Sequence, residues 1–112
     1  MDKKEFYVYQ EDLIRYEINK DLATISQLVG ELNLKYCMED MKKLRTTQIT
    51  NFLKSQGYLY LDETGRKRPT RKGNILGINV GYISDEMENK YQVNFYNKRA
   101  QGYILDNLYD VF

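Results

Sequence analysis

The 112-residue chain carries 17 basic and 16 acidic residues, no histidine and no tryptophan, and one cysteine. Zinc sites built from Cys and His, an intrachain disulfide and nucleophile–histidine catalysis are thereby excluded. The length fits one domain over residues 1–112 that can bury about two-thirds of its unfolded surface, and eleven tyrosines, four phenylalanines and a net charge of +1 argue against disorder.

Residues 6–9, FYVY, are apolar and β-prone, and predict either a short strand or a packed anchor. Leu13, Ile14, Ile18 and Leu22 recur at near-helical spacing, which predicts a helix over 11–22. Thr24 and Gln27 have the spacing of a capping box, ahead of an apolar face of Ile25, Leu28, Val29 and Leu32. Gly30 falls inside this helix, where glycine costs about 1 kcal/mol against alanine, and predicts close approach of another helix. Leu34, Cys37, Met38 and Met41 follow at i, i+3, i+4 and i+7. They predict a third helix or helical turn over 34–43, with the methionines as core filler. Cys37 reads as a small buried or half-buried hydrophobe rather than a reactive thiol.

The clearest segment is 46–56. Thr46 or Thr47 can cap it, Ile49, Phe52 and Leu53 form its buried stripe, and Gly57 follows as a C-terminal cap glycine. Its opposite face carries Thr47, Gln48, Thr50, Asn51, Lys54 and Ser55. YLYL (58–61) predicts a strand, DETG (62–65) a turn, and RKR (66–68) a return strand held to an edge by Pro69. Thr70 caps a short helix, RKGNIL, closed by Gly77. Residues 78–84 and 90–96 read as two strands around an acidic loop. The 98–112 segment reads as an amphipathic helix with Ala100, Ile104, Leu108 and Phe112 on one face and Gly102 at a close contact.

The stretch TTQITNFLKSQGYLYLDETGRKRPTRKGNILG, within segment 44–77, resembles the winged helix-turn-helix family. In that family a recognition helix precedes a β-hairpin wing, whose second strand runs into a Thr-x-x-Gly helix start. Thr70, Arg71, Lys72 and Gly73 match that start. The resemblance covers about a third of the chain. It implies an α+β winged helix-turn-helix fold with an N-terminal helical part, an additional β-hairpin and a C-terminal amphipathic helix. The second hairpin and the helix from KRAQGYIL depart from the simplest family pattern. They look similar to small winged-helix domains appended to helicases and phage regulators.

Charge is segregated. Residues 65–73, GRKRPTRKG, hold five cations and no acid, which leaves 12 cations against 16 acids elsewhere. Such a basic spot on an acidic body suits a polyanion. A wing carrying Arg66, Lys67 and Arg68 implies phosphate contacts, and Arg71 and Lys72 sit in a helix first turn, where cations oppose the dipole and suit an anion. Base edges would be read by Thr47, Gln48, Thr50, Asn51 and Lys54, with Asn and Gln suited to adenine and Lys to guanine. The bland explanation is an edge hairpin protected by Lys and Arg, or a tip paired with Asp62, Glu63 or the acidic loop. Most tyrosines are expected at the edge of the core.

No EF-hand spacing or glycine-rich phosphate loop is present, and the carboxylates of Glu39, Asp40, Asp85, Glu86 and Glu88 could bind a divalent cation but read as solvated, so no metal, cofactor or enzymatic activity is expected. The expected function is non-enzymatic DNA binding, regulatory (as in transcription regulation) or accessory, through helix 46–56 and wing 58–69. A homodimer would form through the N- or C-terminal helix. The alternative is a protein–protein adaptor or inhibitor of phage or mobile-element type. A single cysteine, a charged N-terminus and the absence of an apolar run of about 20 residues predict a cytoplasmic protein without a membrane partner.

Overall fold

The computed structural model describes residues 2–112. The chain runs α1 (Gln10–Ile14), β1 (Leu22–Ala23), α2 (Ile25–Tyr36), α3 (Thr46–Ser55), β2 (Leu59–Leu61), β3 (Lys67–Pro69), α4 (Arg71–Leu76), β4 (Ile78–Ser84), β5 (Lys90–Asn97), α5 (Lys98–Asp106) and a closing 3-10 turn at Leu108–Asp110. This is an α+β arrangement. A three-stranded antiparallel sheet has the order β1-β5-β4, and β2 and β3 form a separate hairpin.

Strand alternation places the core. Ala23, Tyr96 and Ile78 lie directly opposite one another and share one face of the larger sheet. All three are buried, and Tyr96 and Ile78 join a core with Leu28 and Leu32 of α2, Ile49 and Leu53 of α3, and Ala100, Ile104 and Leu108 near the C-terminus. The same face continues along the hairpin through Val80, Asn94, Tyr82 and Gln92, beyond the core.

Local signals act where they were expected. The Thr24 hydroxyl accepts from Gln27 N–H, and the Gln27 amide oxygen accepts from Thr24 N–H, closing the capping box. At the end of α3, Gly57 N–H donates to Lys54 and Tyr58 N–H to Leu53, the two bonds of a Schellman motif. Gly57 has φ +84°, a left-handed conformation that glycine adopts without a Cβ penalty.

Several expectations are corrected. Residues 6–9 form no strand; Phe6 and Val8 are buried as an anchor, while Tyr7 and Tyr9 are exposed. The helix expected over 11–22 stops at Ile14, because the chain crosses to pair Leu22 with Asn97. No third helix forms over 34–43: residues 34–36 end α2, and only a turn, with Met41 N–H donating to the Met38 carbonyl, follows. Lys4 instead pairs with the loop after α2: its N–H donates to Asp40 and its carbonyl accepts from Lys42. Leu34 is then 88% exposed and Met38 62% exposed, so neither fills the core. Nothing lies within 4 Å of a Cβ built on Gly30, which faces an open groove and not another element. The final helix ends at Asp106, where the chain tightens into the 3-10 turn. Phe112 packs on Phe6 and Tyr109 instead of extending the helical stripe. Among the described residues, no helix is long and apolar enough to cross a membrane.

Candidate nucleic-acid interface

Between Met41 and Ser84 the only acids are Asp62 and Glu63, against nine cations. This part of the chain builds α3, the β2–β3 hairpin and α4 in succession. The helix α3 reaches the core through Ile49 and Leu53, so its opposite face is exposed by geometry. Thr47, Asn51, Lys54 and Ser55 are exposed, and Gln48 and Thr50 are half-buried.

Neither Thr46 nor Thr47 caps α3. Arg45 occupies the cap position, and its N–H donates to the Gln48 amide oxygen at 2.9 Å. A glutamine at the third helical position can reach back to that orphan donor, which a threonine inside the helix cannot do.

The hairpin turn is set by Asp62. One carboxylate oxygen accepts from Thr64 N–H (2.9 Å), the Thr64 hydroxyl (2.6 Å) and Arg66 N–H (3.0 Å). The Thr64 hydroxyl first, then the backbone N–H groups and the Arg68 charge, hold this carboxyl below its ordinary value. Beyond the turn, alternation divides the run Arg66–Arg68. Arg66 is exposed at the tip. Lys67 turns toward α3, where its ammonium donates to Asn51 Oδ1 (2.6 Å) and Thr50 Oγ1 (2.9 Å). Burial, together with the Lys54 charge, pushes the Lys67 pKa down. Arg68 turns the other way. Its Nε lies 3.6 Å from Asp62 Oδ2, one guanidinium nitrogen lies 3.5 Å from Asn94 Oδ1, and its side chain is only 11% exposed. Asn94 in turn donates to the Lys67 carbonyl at 2.9 Å, which docks the hairpin on β5.

Pro69 ends β3 and pairs with Leu59. Thr70 then joins three elements. Its hydroxyl donates to the Gly57 carbonyl (2.6 Å) and accepts from Gly73 N–H (3.1 Å), while its own N–H donates to Tyr58. A Cβ on Gly73 would lie 2.1 Å from the Tyr58 carbonyl oxygen, so the glycine of Thr-x-x-Gly is a packing requirement. Lys72, expected to attract an anion, folds back. Its ammonium donates to the Gln56 carbonyl (2.8 Å) and sits 4.4 Å from the Tyr58 ring centroid. It relieves a C-terminal carbonyl of α3. The side chains of Arg66 and Arg71 find no ion-pair or hydrogen-bond partner among the described residues.

The structure thus brings Gln48, Thr50, Asn51, Lys54 and Lys67 together, with Arg66 at the hairpin tip. Arg68 and Lys72 serve the fold. The exposed tyrosines of the larger sheet do not share one stacking face: Tyr82 lies with Gln92, and Tyr91 lies on the reverse face opposite Ile83. The roles of Gln48 as a cap and Lys67 as a clasp went unread from sequence. The spacing of Arg45 to Gln48 carried a signal for the first, and nothing local carried the second.

Comparison with protein-family models, with curated proteins and with solved structures finds no match.

Proposed function

We propose that this chain is a non-enzymatic DNA-binding protein of winged-helix type. It presents α3 to a major groove and rests the β2–β3 hairpin, as the wing, on the adjacent backbone. The observation that carries this reading is the Lys67 clasp on Thr50 and Asn51. It joins the polar face of α3 to the hairpin in one surface that is rich in cations, and α3 itself holds no acid. Lys54 and Arg66 add cations to it, and Arg71 is exposed in the first turn of α4 that follows the hairpin. Such a surface suits phosphate, which supplies most sequence-independent affinity for DNA.

Binding of a duplex should weaken steeply with salt. If about three or four phosphates are neutralised, log K falls against log salt with a slope of about −3 to −4. Replacing Arg66 and Arg71 together by alanine should flatten the slope by about 2. No binding to any duplex at low salt sinks the reading.

A second reading, the adaptor or inhibitor, is favoured by a different surface. Leu34 and Met38 are exposed beside a groove of about 650 Å³ lined by Gly30, Cys37 and Met41. Under that reading Leu34→Glu abolishes capture of a stoichiometric protein partner and leaves duplex binding intact. Capture unaffected by that change counts against it.

A further inference from the structure

The polar face of α3 contains two carboxamides, and both have their oxygen committed inside the protein. The Gln48 oxygen accepts from Arg45 N–H at 2.9 Å, and the Asn51 oxygen accepts from the Lys67 ammonium at 2.6 Å. Neither a backbone N–H nor an ammonium can accept a hydrogen bond, so both amides are fixed with oxygen inward. Their NH2 groups are what remains, and among the described residues these find no acceptor on this face. The Thr50 hydroxyl accepts from Lys67 and donates to the Thr47 carbonyl at 3.4 Å, and the Ser55 hydroxyl donates to the Phe52 carbonyl at 2.6 Å, so both have spent their proton inside the protein. Lys54, one turn along, carries only donors. The Thr47 hydroxyl can serve in either sense and adds no preference.

We infer that α3 reads guanine, through two carboxamides that turn their NH2 groups, and not their oxygens, outward. In the major groove guanine presents two adjacent acceptors, N7 and O6. Adenine presents an acceptor beside a donor, and cytosine presents a donor; an amide suits either only with its oxygen outward, and Gln48 and Asn51 turn theirs inward. The pairing of Asn and Gln with adenine, expected from residue type alone, requires a free amide oxygen. Lys67 is therefore a specificity-determining residue without touching a base itself. This inference rests on the proposed DNA binding and names the base class for the same surface.

The test is fluorescence anisotropy of the full chain at low salt on three duplexes of equal length. One contains runs of guanine, one contains only A·T pairs, and one repeats the first with 7-deazaguanine, which lacks the N7 acceptor. The guanine duplex should bind about tenfold tighter than the A·T duplex, the discrimination of one good base contact, and 7-deazaguanine should remove most of that margin. Lys67→Met, which frees the Asn51 oxygen, should shift the preference toward A·T. Where that variant is unfolded by circular dichroism, the 7-deazaguanine comparison on the unaltered chain decides. Equal affinity for all three duplexes, or preference for A·T, overturns the guanine assignment and leaves duplex binding standing. Absence of binding to every duplex removes the functional reading itself, and the inference with it.

Discussion

Asn33 holds the backbone of Leu44 by both of its groups: the amide oxygen accepts from Leu44 N–H at 2.8 Å, and the amide nitrogen donates to the Leu44 carbonyl at 2.9 Å. Leu44 is buried and lies just ahead of α3. The clamp therefore fixes where α3 begins relative to α2, across a connection of nine residues, 37–45. A tight turn would do this by chain geometry alone. Here a side chain does it.

Asn33→Ala should lower stability by about 1–3 kcal/mol, from two lost hydrogen bonds and a partly buried peptide left without partners. Urea unfolding checks this: the midpoint falls while the m-value holds. An unchanged midpoint contradicts the clamp.

Two glycines predict opposite outcomes for the same substitution. Gly73→Ala places a methyl 2.1 Å from the Tyr58 carbonyl oxygen and 3.2 Å from Pro69 Cβ. Backbone must move, so a loss of about 1–3 kcal/mol or more is expected. Gly30→Ala meets open space inside a regular helix, and should gain about 0.5–1 kcal/mol. Paired thermal melts decide; a gain at Gly73 refutes the packing described at α4, and a loss at Gly30 refutes the open groove beside α2.

These contrasts show what the sequence could convey. Capping is local, so Thr24 with Gln27, Gly57, and Thr70 with Gly73 were legible from spacing. Apolar periodicity misled where a distant segment competed for the backbone. Leu34 to Met41 keep helical spacing, yet Lys4 takes the peptide groups of Asp40 and Lys42. Ile18 likewise leaves the expected helix and packs near Gly102, with its Cδ1 3.8 Å from where a Cβ would sit. At the candidate site, residue types were legible, but amide orientation was not. It depends on Lys67, 16 residues from Asn51.

Glu31 gives a pH dependence. Its carboxylate accepts from Lys20 (2.6 Å) and from the Tyr16 hydroxyl (2.7 Å). The Lys20 bond first, then Tyr16, hold it below its ordinary value of 4.5, against an opposing push from burial. Burial, and then Glu31 itself, push the Tyr16 hydroxyl up. Because the folded value lies below the unfolded one, the stabilisation is complete above about pH 4.5 and is lost as pH falls through the folded value. Glu31→Gln should melt about 4 °C lower than the unaltered chain at pH 7, the equivalent of about 1 kcal/mol at this size. The gap should close toward pH 2. A gap independent of pH would assign the effect to packing.

Arg68 and Arg71 separate folding from binding. They are three residues apart in one basic run, yet Arg68 is nearly enclosed between Asp62 and Asn94, and Arg71 is exposed in the first turn of α4. Removing Arg68 takes away buried aliphatic stem as well as charge. Arg68→Ala should cost about 1–2 kcal/mol of stability and leave the salt slope of duplex binding unchanged for the folded fraction. Arg71→Ala should leave the melting temperature within about 1 °C, since an exposed cation against the helix dipole contributes little to the fold. Its salt slope should fall by about 1, the value of one lost phosphate contact. Anisotropy titrations at several salt concentrations, read beside thermal melts of the same preparations, separate the two. If Arg71→Ala keeps the full slope, the first turn of α4 does not contact the backbone, and the proposed DNA-facing surface ends at the hairpin.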